Sequence, residues 1–218
     1  MVITRLARVR ELRRAREVDA NLGARVQAVK TFQHARFLRD YTALLASSRY
    51  GEAARFFLDE LYGPGDFAPR DAEFERVVPW MAHVLKDEVM CTIADLIELH
   101  FLTEELDQEM AEALNSADLD ERSYRAAWRT IGRRDARERQ LALLLAVGRA
   151  LERHTRSKML AATLRLMRAP AQASGLGRLQ AFLEGGMTAF AGMGGVGEFL
   201  AIIEANELRS IDNYFDEQ

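Results

Sequence analysis

Four histidines are the scarcest groups in this chain that could do acid–base or metal chemistry: His34, His83, His100 and His154. Two have a carboxylate four residues on, His83 with Asp87 and His100 with Glu104. On a helix that spacing puts both side chains on one face, where they could supply half a metal site. A di-iron bundle needs Glu-x-x-His twice, with two further glutamates. The closest approach is Glu98-Leu99-His100, whose outer side chains diverge by about 200° at about 3.6 residues per turn. No metal and no cofactor are therefore expected, and the histidines read as surface or core-edge groups. Haem ligation by one of them has no positive signal.

Other motifs read the same way. Gly192-Met193-Gly194-Gly195-Val196-Gly197 matches G-x-G-x-x-G, but that motif carries mechanism only between a β-strand and a helix. Here it follows a helical segment, so a flexible helix–helix turn is expected, with anion capture by the last helix as the residual reading. Cys91 lies within a helical pattern beside Met90 and Ile93, and is expected to be buried and inert. No serine sits in a Gly-x-Ser-x-Gly elbow. No catalytic constellation emerges.

The densest stretch of unusual residues runs from Phe56 to Asp71. Its aromatics Phe56, Phe57, Tyr62 and Phe67 flank Gly63-Pro64-Gly65-Asp66, and Arg70 and Asp71 follow. One reading pins a tight turn onto the core, with Arg70 and Asp71 pairing locally. The other makes this loop, with Trp80 nearby, the lining of a pocket or partner groove. Phe57, Tyr62, Phe67, Arg70, Asp71, Trp80 and His100 are accordingly the candidate ligand or partner surface.

The elements that must position these residues are helical throughout. Apolar residues recur at threes and fours and prolines number four, which predicts an all-α, single-domain bundle of about eight or nine helices over 1–218. A long basic segment, 1–48, carries a narrow stripe that includes Leu6, Val9, Val18, Leu22, Val26, Val29 and Leu38. It is read as one long helix or two stacked ones, broken near Asn21 or Gly23, and as a candidate oligomerisation seam. Residues 50–215 form the bundle core. Helices are expected at 51–62, 70–78, 80–85, 87–114, 120–131, 134–154, 157–168, 175–191 and 197–215. Pro79 should kink or restart its helix, and Pro170 should end another.

Charge adds more than composition does. The chain has 218 residues and a net charge of −3, but residues 1–51 carry +7, 52–120 carry −14, 121–168 carry +9 and 169–218 carry −5. Alternating blocks can neutralise each other by packing side by side, whereas a nucleic-acid binder usually shows a net basic domain. The arginines at 5, 8, 10, 13, 14 and 16 are interleaved with Glu11 and Glu17, so nucleic acid is not the expected partner. A single cysteine fits a reducing, cytoplasmic compartment. No window approaches about 18 consecutive apolar residues, so no membrane span is expected.

Phe-Phe-Leu-x-x-Leu-Tyr-Gly-Pro-x-Asp-Phe-x-x-Arg-Asp, beginning at Phe56, resembles a family of uncharacterised bacterial helical proteins. Ile97–His100, Glu105–Asp107 and Leu179–Gly186 are similar to it too, so the resemblance spans most of 50–205. It implies a single helical domain and transfers no activity. The function expected from the sequence is a non-enzymatic protein acting by protein–protein contact, as a homodimer. The alternative is a small-molecule or haem-binding bundle using the Phe56–Trp80 region and a histidine.

Overall fold

The computed structural model describes residues 2–61 and 63–216. Every regular element among them is a helix. The N-terminal third holds α1 (Val2–Val18), α2 (Ala20–Asp40), α3 (Thr42–Ala46), α4 (Gly51–Glu60) and α5 (Ala68–Val84). The middle holds α6 (Asp87–Ala113), α7 (Glu121–Ile131) and α8 (Arg134–Thr155). The chain finishes with α9 (Lys158–Leu166), α10 (Arg168–Ala173), α11 (Gly177–Gly192) and α12 (Gly197–Phe215). These twelve exceed the eight or nine expected, because short turns subdivide segments that periodicity alone merges.

α6 is the axle of the bundle. It begins with Asp87 and Glu88, whose charge suits a helix N-terminus, and α1, α2, α7 and α8 pack around it. Its buried residues point in several directions, from Ile93 and Leu99 to Met110 and Glu104, so it lacks the single apolar stripe of a surface helix. The largest core joins α2, α7, α8 and α12 through residues such as Val29, Tyr124, Leu144 and Phe199. A second core joins α1, α5, α6 and α11 through Leu6, Phe74, Ile97 and Phe182. The candidate site lies beside the second.

The N-terminal segment is broken at Asp19, slightly before the expected position. Asp19 Oδ1 accepts the amides of Asn21 and Leu22 at 3.0 and 3.1 Å, which caps α2. Gly23 lets the two helices meet closely, since a Cβ there would lie 2.9 Å from the Arg16 carbonyl oxygen. The break also interrupts the stripe. Leu6, Val9, Leu22, Val26 and Val29 are buried within the chain, while Val18 and Leu38 turn outward. The narrow seam that suggested a partner helix is therefore covered by the chain's own α5 and α6.

The charge blocks pack as complementary surfaces. Arg5 grips Glu98 through Nε and Nη2 at 2.6 and 2.9 Å. Arg10 meets Glu75 at 2.5 Å, Arg13 meets Asp71 at 2.7 Å, and Arg133 meets Glu109 at 2.6 Å. The basic α1 thus lies flush against the acidic α5–α6 unit.

Other local expectations need correction. Pro79 sits inside a continuous α5, and the His83 imidazole bonds the Pro79 carbonyl at 2.7 Å. Asp87 opens the next helix, so His83 and Asp87 do not share a helix face. Cys91 is exposed, because that side of the first turns of α6 faces outward. Pro170 occupies the first turn of α10, where a missing N–H costs no hydrogen bond. α11 starts at Gly177, two residues later than expected, with no side-chain cap. Asp120 does cap α7, in a capping box with Ser123, and Gly132 closes that helix at φ 61°.

Candidate functional site

An apolar cavity of about 310 Å³ lies beside the second core. Its walls come from distant parts of the chain. α5 gives Trp80, Met81 and Val84, α6 gives Thr92, Ile93 and Leu96, and α8 gives Val147, Leu151 and His154. α11 contributes Leu179, Phe182 and Met187, and Phe56 reaches in from α4 to stack on Phe182 with centroids 5.6 Å apart.

α9 forms one side of the cavity through Leu160, Thr163 and Leu164. It packs on α8, α10 and α11, yet none of its residues is fully buried. Ser157 caps it, accepting the Leu160 amide at 3.2 Å, and Gln180 Nε2 on α11 donates to the Leu164 carbonyl at 2.6 Å. Met159 and Leu166 project outward, 67% and 79% exposed. With so little buried apolar surface, α9 belongs to the low-stability end of the structure.

The cavity wall also contains a pair of polar side chains. Thr92 Oγ1 and His154 Nε2 are 2.9 Å apart, and the Thr92 hydroxyl also donates to the Glu88 carbonyl at 3.0 Å. Threonine has one hydroxyl proton. With that proton on Glu88, the imidazole is the donor to Thr92 through Nε2–H, and Nδ1 is left as an acceptor. Burial pushes the His154 pKa below its ordinary value, with Arg153 acting in the same direction and Glu88 opposing. The imidazole is neutral at pH 7. Among the described residues, the cavity wall carries no carboxylate and no thiol.

A second concentration of chemistry-bearing residues lies between α1, α2, α5 and α6. His100 Nε2 is 2.7 Å from Asp71 Oδ2, which also accepts from Arg13 at 2.7 Å. Glu104 is paired with Arg16 and, at 2.6 Å, with Lys30. Asp107 Oδ1 accepts Gln33 Nε2 at 2.9 Å. Burial alone would raise the Glu104 pKa, but Lys30, His100 and Arg16 overcome it and hold the carboxyl well below the ordinary range. For Asp107 burial prevails and raises the pKa. Such shifts can mark a reaction centre. Here, however, the open space among Lys30, His100, Glu104 and Asp107 is about 10 Å³, at the limit for one water. The cluster binds helices together.

The sequence-derived surface therefore divides. Phe67, Arg70, Asp71 and His100 meet in the polar cluster, where the Arg70 guanidinium lies between the Phe67 and Phe182 rings at 4.5 and 4.4 Å. Trp80 stands at the apolar cavity, 53% exposed. Phe57 packs against the largest core. Tyr62 lies outside the described residues. Phe56 and Arg70, at opposite ends of the aromatic stretch, both press on Phe182, so this stretch builds the wall between cluster and cavity. Sequence reasoning missed Thr92 and Gln180, and it left His154, one of its four histidines, outside the candidate surface. His154 had a signal, since Val147, Leu151 and His154 follow i, i+4, i+7 spacing and place the imidazole on an apolar stripe.

Fold and cavity define a class: an all-helical bundle with an apolar pocket whose wall holds the neutral His154–Thr92 pair. The chain belongs to the family described as a domain of unknown function (DUF8198), which matches residues 12–218. No curated protein and no solved structure matches it.

Proposed function

We propose that this protein binds an uncharged, largely apolar small molecule in the cavity bounded by α5, α6, α8, α9 and α11. The carrying observation is an apolar space of about 310 Å³ whose wall presents a neutral His154–Thr92 pair. Ligand cavities typically start near 300 Å³ and combine apolar walls with a few polar groups. An apolar cavity of about 150 Å³ already binds benzene. Nδ1 of His154 can accept one hydrogen bond, which suits a hydroxyl-bearing ligand. A carboxylate would enter an apolar space with no cation to receive it and bear the desolvation cost. Haem is less well suited, because Nε2 of the cavity's one imidazole is engaged by Thr92.

The homodimer and protein-contact reading is the weaker one, because the stripe that motivated it is covered inside the chain. A reducing, cytoplasmic setting remains our proposal for location; an exposed, unpaired Cys91 suits it.

Trp80 gives the test a reporter. Titration with a medium-chain aliphatic alcohol should change its fluorescence saturably, and the matching carboxylate at pH 7 should bind at least tenfold more weakly. Trp80→Phe should abolish the signal while calorimetry still detects binding. Absence of saturable heat or fluorescence change with alcohols of several chain lengths would refute the proposal.

A further inference from the structure

A second and smaller cavity, of about 30 Å³, lies toward the other end of α8, between α2, α7 and α12. Arg137 on α8 lines it and is 5% exposed. One guanidinium nitrogen, Nη1, donates to the neutral Gln140 Oε1 at 3.2 Å, and the guanidinium carbon stands 4.3 Å from the centroid of the Trp128 ring. Nε and Nη2 are buried and meet no acceptor. Among the described residues, no carboxylate lies within ion-pair distance of Arg137; Asp107 and Glu109 act on it only at longer range.

Across the cavity, Arg36 is also buried. Its terminal nitrogens bond Glu207 at 3.3 and 3.0 Å, and Tyr41 donates to the same carboxylate at 2.5 Å. Glu207 is thus already occupied, and Arg36 Nε is left without a partner. Both arginines line this one small space, and between them three guanidinium nitrogens, Arg36 Nε and Arg137 Nε and Nη2, are left without an acceptor. A buried cation without a hydrogen-bonded counter-charge is among the costliest arrangements in a protein interior.

We infer that this cavity is a binding site for a small monovalent anion, of the size of chloride or formate. The space holds roughly two waters, at about 10–15 Å³ each, so an ion of that size fits and a larger one does not. Water could also accept from these donors, but it brings no charge to set against Arg137, whose bonded nitrogen meets only the neutral Gln140. An anion accepts from such donors and also offsets the Arg137 charge. Its place between α2, α7, α8 and α12 makes occupancy a brace for the largest core.

The test is thermal unfolding of the full chain at constant ionic strength in sodium chloride, formate or gluconate, together with chloride-35 line widths. Chloride or formate should raise the melting midpoint saturably, and gluconate, which is too large to enter, should not. The chloride-35 line should broaden with protein and narrow on adding formate. A response to formate with none to chloride would assign the site to a small carboxylate. Arg137→Met should lose both the salt response and the line broadening. Should that variant not fold, crystals soaked in bromide provide the check, with an anomalous peak within hydrogen-bond reach of Arg137 Nε and Nη2. Equal stabilisation by chloride and gluconate, an Arg137→Met protein that responds like the wild type, or waters in place of bromide would each overturn the inference.

Discussion

Replacing Val147 with phenylalanine asks the cavity to declare itself. Val147 is 3% exposed on α8 and faces the apolar space. In a filled core, adding four carbons forces strained side chains and costs about 1–3 kcal/mol. Beside about 310 Å³ of empty apolar volume the sign reverses. Buried carbon is worth about 0.8 kcal/mol per methylene, so four carbons contribute at most about 3 kcal/mol. The added side-chain entropy cost takes back part of that, leaving a gain of about 1–2 kcal/mol. In a chain of this length each kcal/mol moves the midpoint by about 2–4 °C. Differential scanning calorimetry should therefore record a rise of several degrees for Val147→Phe, and alcohol binding should weaken at least tenfold because the same volume is occupied. A fall in midpoint with ligand affinity unchanged would mean that Val147 faces packed protein, and the cavity argument would fail.

Three further outcomes follow from the same contacts. The folded-state pKa of His154 lies below its unfolded value of about 6.5, so the unfolded chain binds the proton more readily; stability should hold above that pH and decline below it, and His154→Phe should flatten that part of the profile in urea titrations. Glu104→Gln leaves Arg16 and Lys30 without their buried counter-charge and should cost about 3–5 kcal/mol, read as a lower denaturation midpoint. The same variant should show a shallower loss of stability below about pH 4.3, because the depressed Glu104 carboxyl stabilises only while ionised. Gly132→Ala, at φ 61°, should cost about 1 kcal/mol in the same assay and leave ligand affinity untouched.

What could be read in the sequence was whatever repeats locally. The 3.6-residue period gave an all-α fold, the helix expected at 120–131 is α7, and the alternating charge blocks foreshadowed the α1-to-α5–α6 contact. Breaks governed by tertiary packing were less legible. The break expected near Asn21 or Gly23 falls at Asp19, and nothing local says that Pro79 is tolerated inside α5 or that Cys91 faces outward. The site was the least legible part. A cavity is an absence of packing among side chains from α4 to α11, and periodicity reports which residues are buried, not whether they fill the space between them. Asp71 and His100 come together across 29 positions, and Thr92 and His154 across 62. Those pairings belong to the topology. Trp80 and the Phe56–Asp71 stretch were singled out by residue type alone; Trp80 and Phe56 line the cavity, while Phe67, Arg70 and Asp71 lie in the polar cluster.

Native mass spectrometry of the freshly purified protein, followed by titration with a medium-chain alcohol, most directly asks whether the cavity is a receptor. Occupancy of a single site should appear as one discrete non-covalent mass addition. It should saturate at one molecule per chain and disappear in Val147→Phe. If the protein stays ligand-free at every concentration, or if Val147→Phe takes up the alcohol as the wild type does, then the space beside His154 is not a binding site.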